Sequence, residues 1–130
     1  MKFLCLVCSE PPVAPISDTE MQERFAAYFA FNEGLRKNGH YVGGNRLQPA
    51  NTAVTVRVRD GKVMTTDGPF AETKEQIGGY FLIEARDRGE AVRVAAGVPV
   101  CRNGCVEVRA VAEDPPTLQS LGLAEQSVAG

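Results

Sequence analysis

Mainly apolar residues recur at helical spacing after Ser17, and this pattern predicts a long amphipathic helix. Ser17 and Glu20 form a capping box at its start, in which the serine can accept from the third helical amide and the glutamate can reach back. Gly39 ends the pattern, because glycine readily adopts the left-handed conformation found after helix C-termini. The residues of this stripe are Met21, Phe25, Tyr28, Phe29, Asn32 and Leu35.

A regular alternation of apolar and polar residues predicts a β-hairpin in the middle of the chain. Valines alternate with threonine and arginine over residues 54–59, and a second extended run follows over residues 62–66. Asp60-Gly61 between the two runs is a preferred two-residue hairpin turn. With that turn, Val58 lies opposite Val63, and we expect both valines to face one core.

The remaining predicted elements are shorter. They comprise four more strands, a second helix and a polar connecting segment that is closed by a glycine pair. The strands are predicted over residues 2–8, 42–47, 80–85 and 105–111, the helix over 87–97, and the polar segment over 71–76 with Gly78-Gly79 after it. Only a weak helical pattern follows Pro116.

The order of these elements predicts an α+β domain over residues 1–113, followed by a C-terminal tail over residues 114–130. An antiparallel sheet with two helices on one face is typical of a ferredoxin-like sandwich. The other face of the sheet is then bare, although the first strand and the central strand are apolar on both sides. Because an exposed apolar sheet face usually marks an interface, we expect a symmetric homodimer formed through this face.

Composition and charge exclude some classes of function. The chain has 130 residues, with 14 Lys and Arg against 16 Asp and Glu, whereas nucleic-acid binding needs a basic face. The longest apolar run, Phe3 to Cys8, is far shorter than the roughly 20 residues of a membrane span. It is also too short for a signal peptide. We therefore expect a cytoplasmic protein that binds neither nucleic acid nor membranes.

The four cysteines do not predict a metal or redox site. Cys5 and Cys8 have the spacing of a zinc or redox pair, but residues three apart on a strand point to opposite faces. Cys101 and Cys105 flank an Asn103-Gly104 loop at an imperfect ligand spacing. We expect all four to behave as small, buried hydrophobic side chains. The sequence also has no phosphate-cradling glycine loop or nucleophile-elbow motif, and it predicts neither a metal nor a cofactor.

Asp67 and His40 are the two candidate catalytic residues. Asp67 follows a predicted strand, where its carboxylate can bind a substrate donor or act as a base if burial raises its pKa. The alternative is a turn aspartate that accepts backbone amide bonds ahead of Gly68-Pro69. His40, the only histidine, can act as its acid–base partner, or it can complement the helix dipole as an imidazolium.

A ligand-binding role is predicted for the motif around Asp67, for the polar segment that follows it and for two tyrosines. Loops held by a rigid sheet often carry binding residues. Lys74 can bind an anionic ligand or be held in ion pairs, and Tyr28 and Tyr80 can line a cleft between helix and sheet or pack in the core. The predicted ligand-binding residues are Asp67, Gly68, Pro69, Phe70, Glu72, Lys74, Tyr28 and Tyr80.

Two stretches of the chain carry a resemblance to a known family. Residues 56–63 (VRVRDGKV) and 66–80 (TDGPFAETKEQIGGY) closely resemble the YCII-related, DGPF-domain family of bacterial proteins. The resemblance extends over about residues 2–112. It implies a dimeric α+β barrel, in which two ferredoxin-like sheets face each other.

The resemblance implies little about a reaction. Most relatives have no assigned reaction, and some are encoded beside, or fused to, extracytoplasmic-function sigma factors. Some members of the wider superfamily use a histidine and an aspartate where this chain has Tyr28 and Val98. The sequence therefore favours a small-molecule-binding or accessory protein in a sigma-factor-linked pathway. The alternatives are a cofactor-independent lyase or isomerase and a structural dimer or interaction module.

Overall fold

A computed structural model describes residues 1–112 and Gly122, so that the tail predicted over residues 114–130 lies outside the described residues except for Gly122. The strands are β1 (Lys2–Ser9), β2 (Tyr41–Arg46), β3 (Val54–Arg59), β4 (Lys62–Asp67), β5 (Gln76–Glu84) and β6 (Cys105–Ala110), and the helices are α1 (Asp18–Lys37) and α2 (Arg88–Ala95). Neither helix in this part of the chain is long and apolar enough to cross a membrane.

Four strands form one antiparallel sheet in the order β2-β5-β1-β6, with β5 and β1 at its centre. The helix α1 connects β1 to β2, and α2 connects β5 to β6. This is the ferredoxin-like arrangement, so that the predicted α+β fold is confirmed. The strands β3 and β4 are inserted between β2 and β5 as a separate two-stranded hairpin.

The core lies between the helices and one face of the four-stranded sheet, which we call the helix face. Alternate residues of the central strands are buried there, including Phe3 and Ile83, as the two-residue period of a strand requires. The helix α1 contributes Leu35, and α2 contributes Ala91 and Ala95. The opposite side of the sheet, which we call the open face, carries the half-buried residues Leu4, Leu6, Tyr80 and Leu82.

Both ends of α1 are defined by hydrogen bonds close to the predicted positions. Ser17 caps the N-terminus by accepting from the Glu20 amide at 3.2 Å, whereas the Glu20 carboxylate lies 3.9 Å from Arg24 instead of reaching back. Only the serine half of the predicted capping box is therefore present. At the C-terminus Gly39 has φ of +75°, and the His40 amide donates to the Leu35 carbonyl at 2.8 Å. This is the Schellman ending that a glycine after the helix favours.

The hairpin has the predicted turn and register, but its valines are not part of a core. Asp60 and Gly61 have φ of +52° and +74°, as a type I′ turn requires, and Val58 pairs with Val63. Val58 is 58% exposed and Val63 is 71% exposed. The expectation that both valines face a core is therefore wrong within this chain, because the hairpin forms its own sheet apart from the helices.

The glycine pair that was expected to precede the central strand lies inside it. β5 begins at Gln76, and Gly79 pairs with both Val7 and Arg46. A Cβ on Gly79 would approach the Asn45 carbonyl oxygen to 2.9 Å. Glycine thus allows the backbones of β2 and β5 to lie close together, and it extends the ladder instead of ending it.

Candidate functional site

A cleft of about 680 Å³ lies between α1 and the helix face of the sheet. A volume of this size suits a small organic ligand. Its walls are formed mainly by α1, by β2 and by the first half of β5. The lining includes Arg24, Phe25, Tyr28, Phe29, Arg36, Tyr41, Arg46 and Phe81, with the glycines Gly44, Gly78 and Gly79.

The cleft exists because small residues of the sheet lie opposite a helix face that is only partly packed. Gly44 and Gly79 occupy helix-face positions of β2 and β5 and place no side chain there. On α1, Leu35 is buried, but Phe25 is 51% exposed and Phe29 is 67% exposed. The stripe predicted on α1 is therefore only partly a core stripe. Toward the N-terminal end of the helix it lines the cleft.

Aromatic rings form the inner part of the cleft. The ring of Tyr28 stacks on that of Phe81, with centroids 6.5 Å apart and planes 14° apart, and Phe31 packs against the same ring at 5.2 Å. Burial raises the pKa of the Tyr28 hydroxyl, although a backbone hydrogen bond from Val100 acts in the opposite direction. The hydroxyl therefore remains a neutral donor at physiological pH.

Three arginines line the cleft, and the sequence analysis did not identify any of them as site residues. The Arg36 guanidinium lies 4.4 Å from the ring centroid of Tyr41, and that of Arg46 lies 5.3 Å from the centroid of Phe25. Arg24 completes the set. The only signal in the sequence was their position: Arg24 and Arg36 flank the predicted stripe of α1, and Arg46 follows the glycine pair Gly43-Gly44.

Tyr80 borders the cleft, but its ring lies on the other side of the sheet. It pairs with Leu6 and Asn45, and directly paired residues of neighbouring strands share a face. Its hydroxyl accepts a hydrogen bond from Asn45 Nδ2 at 3.0 Å on the open face. Of the two predicted tyrosines, only Tyr28 therefore directs its ring into the cleft.

Asp67 lies at the end of the hairpin and is not among the residues that line the cleft. It is exposed, and no hydrogen bond to its carboxylate occurs among residues 1–112. The adjacent Gly68, with φ of +96°, forms the turn by itself: its amide donates to the Ala53 carbonyl at 2.7 Å, and its carbonyl accepts from Thr55 Oγ1 at 2.8 Å. The backbone of Gly68, and not the Asp67 carboxylate, therefore holds this turn.

The segment after Asp67 also lies outside the cleft lining. Pro69 is half-buried, Phe70 is 82% exposed and Glu72 is exposed. Lys74 is held in an ion pair of 3.3 Å, but with Glu10 at the end of β1 and not with its sequence neighbours. This segment thus runs along the edge of the sheet where β1 ends.

His40 lies in a second cavity, of about 420 Å³, between the two helices. Its Nδ1 lies 2.8 Å from the Glu84 carbonyl oxygen, which can only accept, so that Nδ1 carries a proton. Glu90 and Arg93 of α2 line the same cavity. The structure therefore places His40 between α1 and α2 and Asp67 on the hairpin, and it does not bring these two candidates into one site.

The cysteines of β1 lie on opposite faces of the sheet. Cys5 is buried on the helix face, and burial raises the pKa of its thiol to about 11. Cys8 is directly opposite Cys105 on the open face. Cys101 and Cys105 are exposed, so the expectation of a buried side chain is wrong for these two cysteines. Within residues 1–112, no group of three or more His, Cys, Asp and Glu side chains has a geometry that could hold a metal ion.

Comparison with known proteins gives the family of this chain. An uncharacterized protein of Rhizobium meliloti (strain 1021) is 41% identical over 69 residues, a stretch that covers 52% of this chain and 56% of that protein. The chain therefore spans little more than half of the length of this relative. The profile of the YCII-related domain matches residues 1–114, which include every helix and strand described above. By this match, and in agreement with its ferredoxin-like fold, the chain belongs to the YCII-related domain family.

Proposed function

We propose that this protein binds a small organic molecule in the cleft between α1 and the helix face of the sheet. The observation that carries the proposal is the open aromatic stripe of α1: Phe25 and Phe29 face a sheet surface where Gly44 and Gly79 leave space. Burial of large aromatic side chains lowers the free energy, so a ligand with an apolar body that covers Phe25 and Phe29 binds favourably. A role as an accessory protein in a sigma-factor-linked pathway is compatible with such binding and rests on the family resemblance alone.

Binding is favoured over the lyase or isomerase alternative by the side chains available in the cleft. Acid–base catalysis needs a titratable group whose pKa is near the working pH. Glu33 is the carboxylate among the lining residues, and it is half exposed and lies 3.7 Å from Arg36. Tyr28 has a raised pKa, which suits a hydrogen-bond donor better than a base. Neither group resembles an activated catalyst.

We further propose that a second copy of the chain covers the exposed apolar surface. The hairpin presents Val54, Val56, Val58 and Val63 on one face, and the open face of the sheet carries three half-buried leucines. Apolar area of this extent favours association, and a self-complementary dimer buries the same surface on both copies.

Analytical ultracentrifugation tests the dimer proposal: the double variant V58T/V63T should dissociate at a higher protein concentration than the wild type, whereas M64T on the opposite hairpin face should not. An unchanged dissociation constant in V58T/V63T would remove the hairpin from the interface.

The binding proposal is tested by a thermal-shift screen against a small-metabolite library. Ligands that bind the native state raise the melting temperature by mass action. The key variant is F25A/F29A, which removes the two exposed rings that line the cleft on α1. Phe70→Ala is the control, because Phe70 is also exposed but is not among the lining residues.

We expect library compounds that raise the melting temperature of the wild type and of Phe70→Ala but not of F25A/F29A. Asp67→Ala should retain the response, because Asp67 lies outside the cleft lining. A response lost in Asp67→Ala and retained in F25A/F29A would move the site to the hairpin motif. If no compound gives a response that is lost in F25A/F29A, the binding proposal is overturned and the interaction module is favoured.

A further inference from the structure

We propose that the ligand of the cleft is a flat aromatic carboxylate whose anionic group is bound by Arg46. This inference rests on the proposed function and goes further by naming a chemical class. It follows from two properties of the cleft: the sign of its charge and the arrangement of its rings around one guanidinium.

The charged side chains that line the cleft are predominantly positive. They are three arginines, Arg24, Arg36 and Arg46, against one carboxylate, Glu33, whereas the whole chain carries a net charge of −2. Positive charge is thus concentrated in this cleft, although the chain as a whole is slightly acidic. A concave site lined by one sign of charge attracts a ligand of the opposite sign.

Arg46 is the arginine best placed to bind an anion. Arg36 lies 3.7 Å from Glu33, and Arg24 lies 3.9 Å from Glu20, whereas no carboxylate lies within 4 Å of Arg46 among residues 1–112. Arg46 pairs with Gly79, so that its side chain projects from the helix face without a neighbouring side chain on β5. A planar guanidinium with free N–H groups can bind a carboxylate through two parallel hydrogen bonds.

The body of the ligand is inferred from the rings next to this guanidinium. The ring of Phe25 lies 5.3 Å from the Arg46 guanidinium and is half exposed, and the Tyr28–Phe81 stack lies deeper in the cleft. Flat aromatic groups pack favourably against such rings in offset or edge-to-face contacts. An acid at one end and a ring system at the other therefore match the order of groups in the cleft.

The test compares ligands that have one shape and different charges. Isothermal titration calorimetry measures the binding of 2-naphthoate, of the neutral 2-naphthamide and of the cationic 2-naphthylmethylamine to the wild type. We expect 2-naphthoate to bind about tenfold more tightly than the amide, because hydrogen bonds to charged groups are stronger than neutral ones. The amine should bind more weakly than the amide. The preference for the acid should decrease at high salt, since ions screen exposed charges.

Substitutions of Arg46 test whether this residue causes the preference for the acid over the amide. In Arg46→Gln the affinity for 2-naphthoate should fall much more than that for the amide, so that the roughly tenfold ratio between the two affinities drops to about one. Arg46→Lys should retain part of the preference because it retains the charge. Arg57→Gln, on the exposed hairpin and not among the lining residues, is the control and should behave as the wild type.

The outcomes of these experiments distinguish a failure of the carboxylate proposal from a failure of the proposal that the cleft binds a ligand. Equal affinity of the acid and the amide in the wild type, with both lost in F25A/F29A, overturns the carboxylate class and leaves the cleft as a binding site. A preference that persists in Arg46→Gln overturns the role of Arg46. Absence of binding by all three compounds overturns the ligand class, and the library screen with F25A/F29A then decides separately whether the cleft binds other molecules.

Discussion

The thiol of Cys105 donates a hydrogen bond of 2.9 Å from its Sγ to Oε2 of Glu75. This bond joins the first residue of β6 to the segment that precedes β5. Because only the neutral thiol can donate, the Glu75 carboxylate raises the pKa of Cys105 to about 11, and the neighbouring Cys8 acts in the same direction. The exposed cysteine is thus held in its less reactive, protonated form.

The first prediction concerns the reactivity of this thiol. Replacing Glu75 by Gln removes the carboxylate that favours the neutral form, so the pKa of Cys105 should fall from about 11 toward 9.0. Alkylation of Cys105 by iodoacetamide at pH 9, followed by peptide mass spectrometry, should then accelerate by roughly tenfold or more, since the thiolate is the reactive species. Glu72→Gln removes a negative charge three residues before Glu75 that makes no hydrogen bond to Cys105, and it is the control. Equal rates in the wild type and Glu75→Gln would show that the bond does not form in solution.

The second prediction concerns the buried thiol of Cys5 and the stability of the protein at high pH. Burial, and secondarily the nearby Cys101, raises the pKa of Cys5 to about 11 in the folded state, whereas an unfolded thiol titrates near 9.0. The folded state then binds the Cys5 proton more tightly than the unfolded state does. The stabilisation that results from this difference is fully present below pH 9 and is lost as the pH rises toward 11. The loss should reach about 2 kcal/mol.

Urea unfolding between pH 7 and pH 11 measures this loss. Tyrosines and lysines titrate in the same range, so the informative quantity is the difference between the wild type and Cys5→Ala. The alanine variant should be less stable at pH 7, because it leaves a cavity, but its stability should decline less steeply above pH 9. Parallel curves for the two proteins would contradict a raised pKa at Cys5.

Features that depend on a few adjacent residues could be predicted from the sequence. The type I′ turn follows from the tolerance of Asp60 and Gly61 for positive φ, and the end of α1 follows from the same property of Gly39. The register of β3 against β4 then follows from the length of the turn, which correctly predicts the pair Val58 and Val63. None of these inferences requires knowledge of distant parts of the chain.

The cleft could not be predicted because it depends on pairing between distant segments. Arg46 faces Phe25 only because β2 pairs with β5 in the register that places Arg46 beside Gly79. The periodicity of α1 predicts an apolar stripe, but it does not reveal whether a strand residue covers Phe29. The motif at Asp67 lies on the hairpin, whereas the residues that line the cleft belong to other elements.

The third prediction concerns the start of α1, which forms the outer wall of the cleft. Ser17 Oγ accepts from the Glu20 amide at 3.2 Å and satisfies a backbone donor that has no partner within the helix. Ser17→Ala should lower the free energy of unfolding by about 1 kcal/mol. Thr19→Ala, within the first turn, is the matched control and should change the stability by less than about 0.5 kcal/mol in urea unfolding. Equal effects of the two substitutions would indicate that the cap does not contribute to stability.

The last prediction compares two adjacent glycines of β2. A Cβ on Gly44 would lie 2.8 Å from the Tyr80 carbonyl oxygen and 2.9 Å from Cδ1 of Phe81, whereas a Cβ on Gly43 meets no atom within 4 Å. The Tyr80 oxygen belongs to the backbone of a central strand and cannot move without disturbing the sheet. Gly44→Ala should therefore lower the free energy of unfolding by about 1–3 kcal/mol, the usual cost of overpacking.

Gly43→Ala tests whether this cost arises from the close approach and not from the loss of glycine as such. Alanine restricts the unfolded chain, so that at a position with free space it should leave the stability unchanged or raise it by about 0.5 kcal/mol. Urea unfolding of the two variants should thus give changes of opposite sign or of clearly different size. If Gly44→Ala is as stable as Gly43→Ala, β2 does not approach β5 as closely as the structure describes. The floor of the cleft would then have to be formed differently, and the affinity of Gly44→Ala for cleft ligands would be the next quantity to measure.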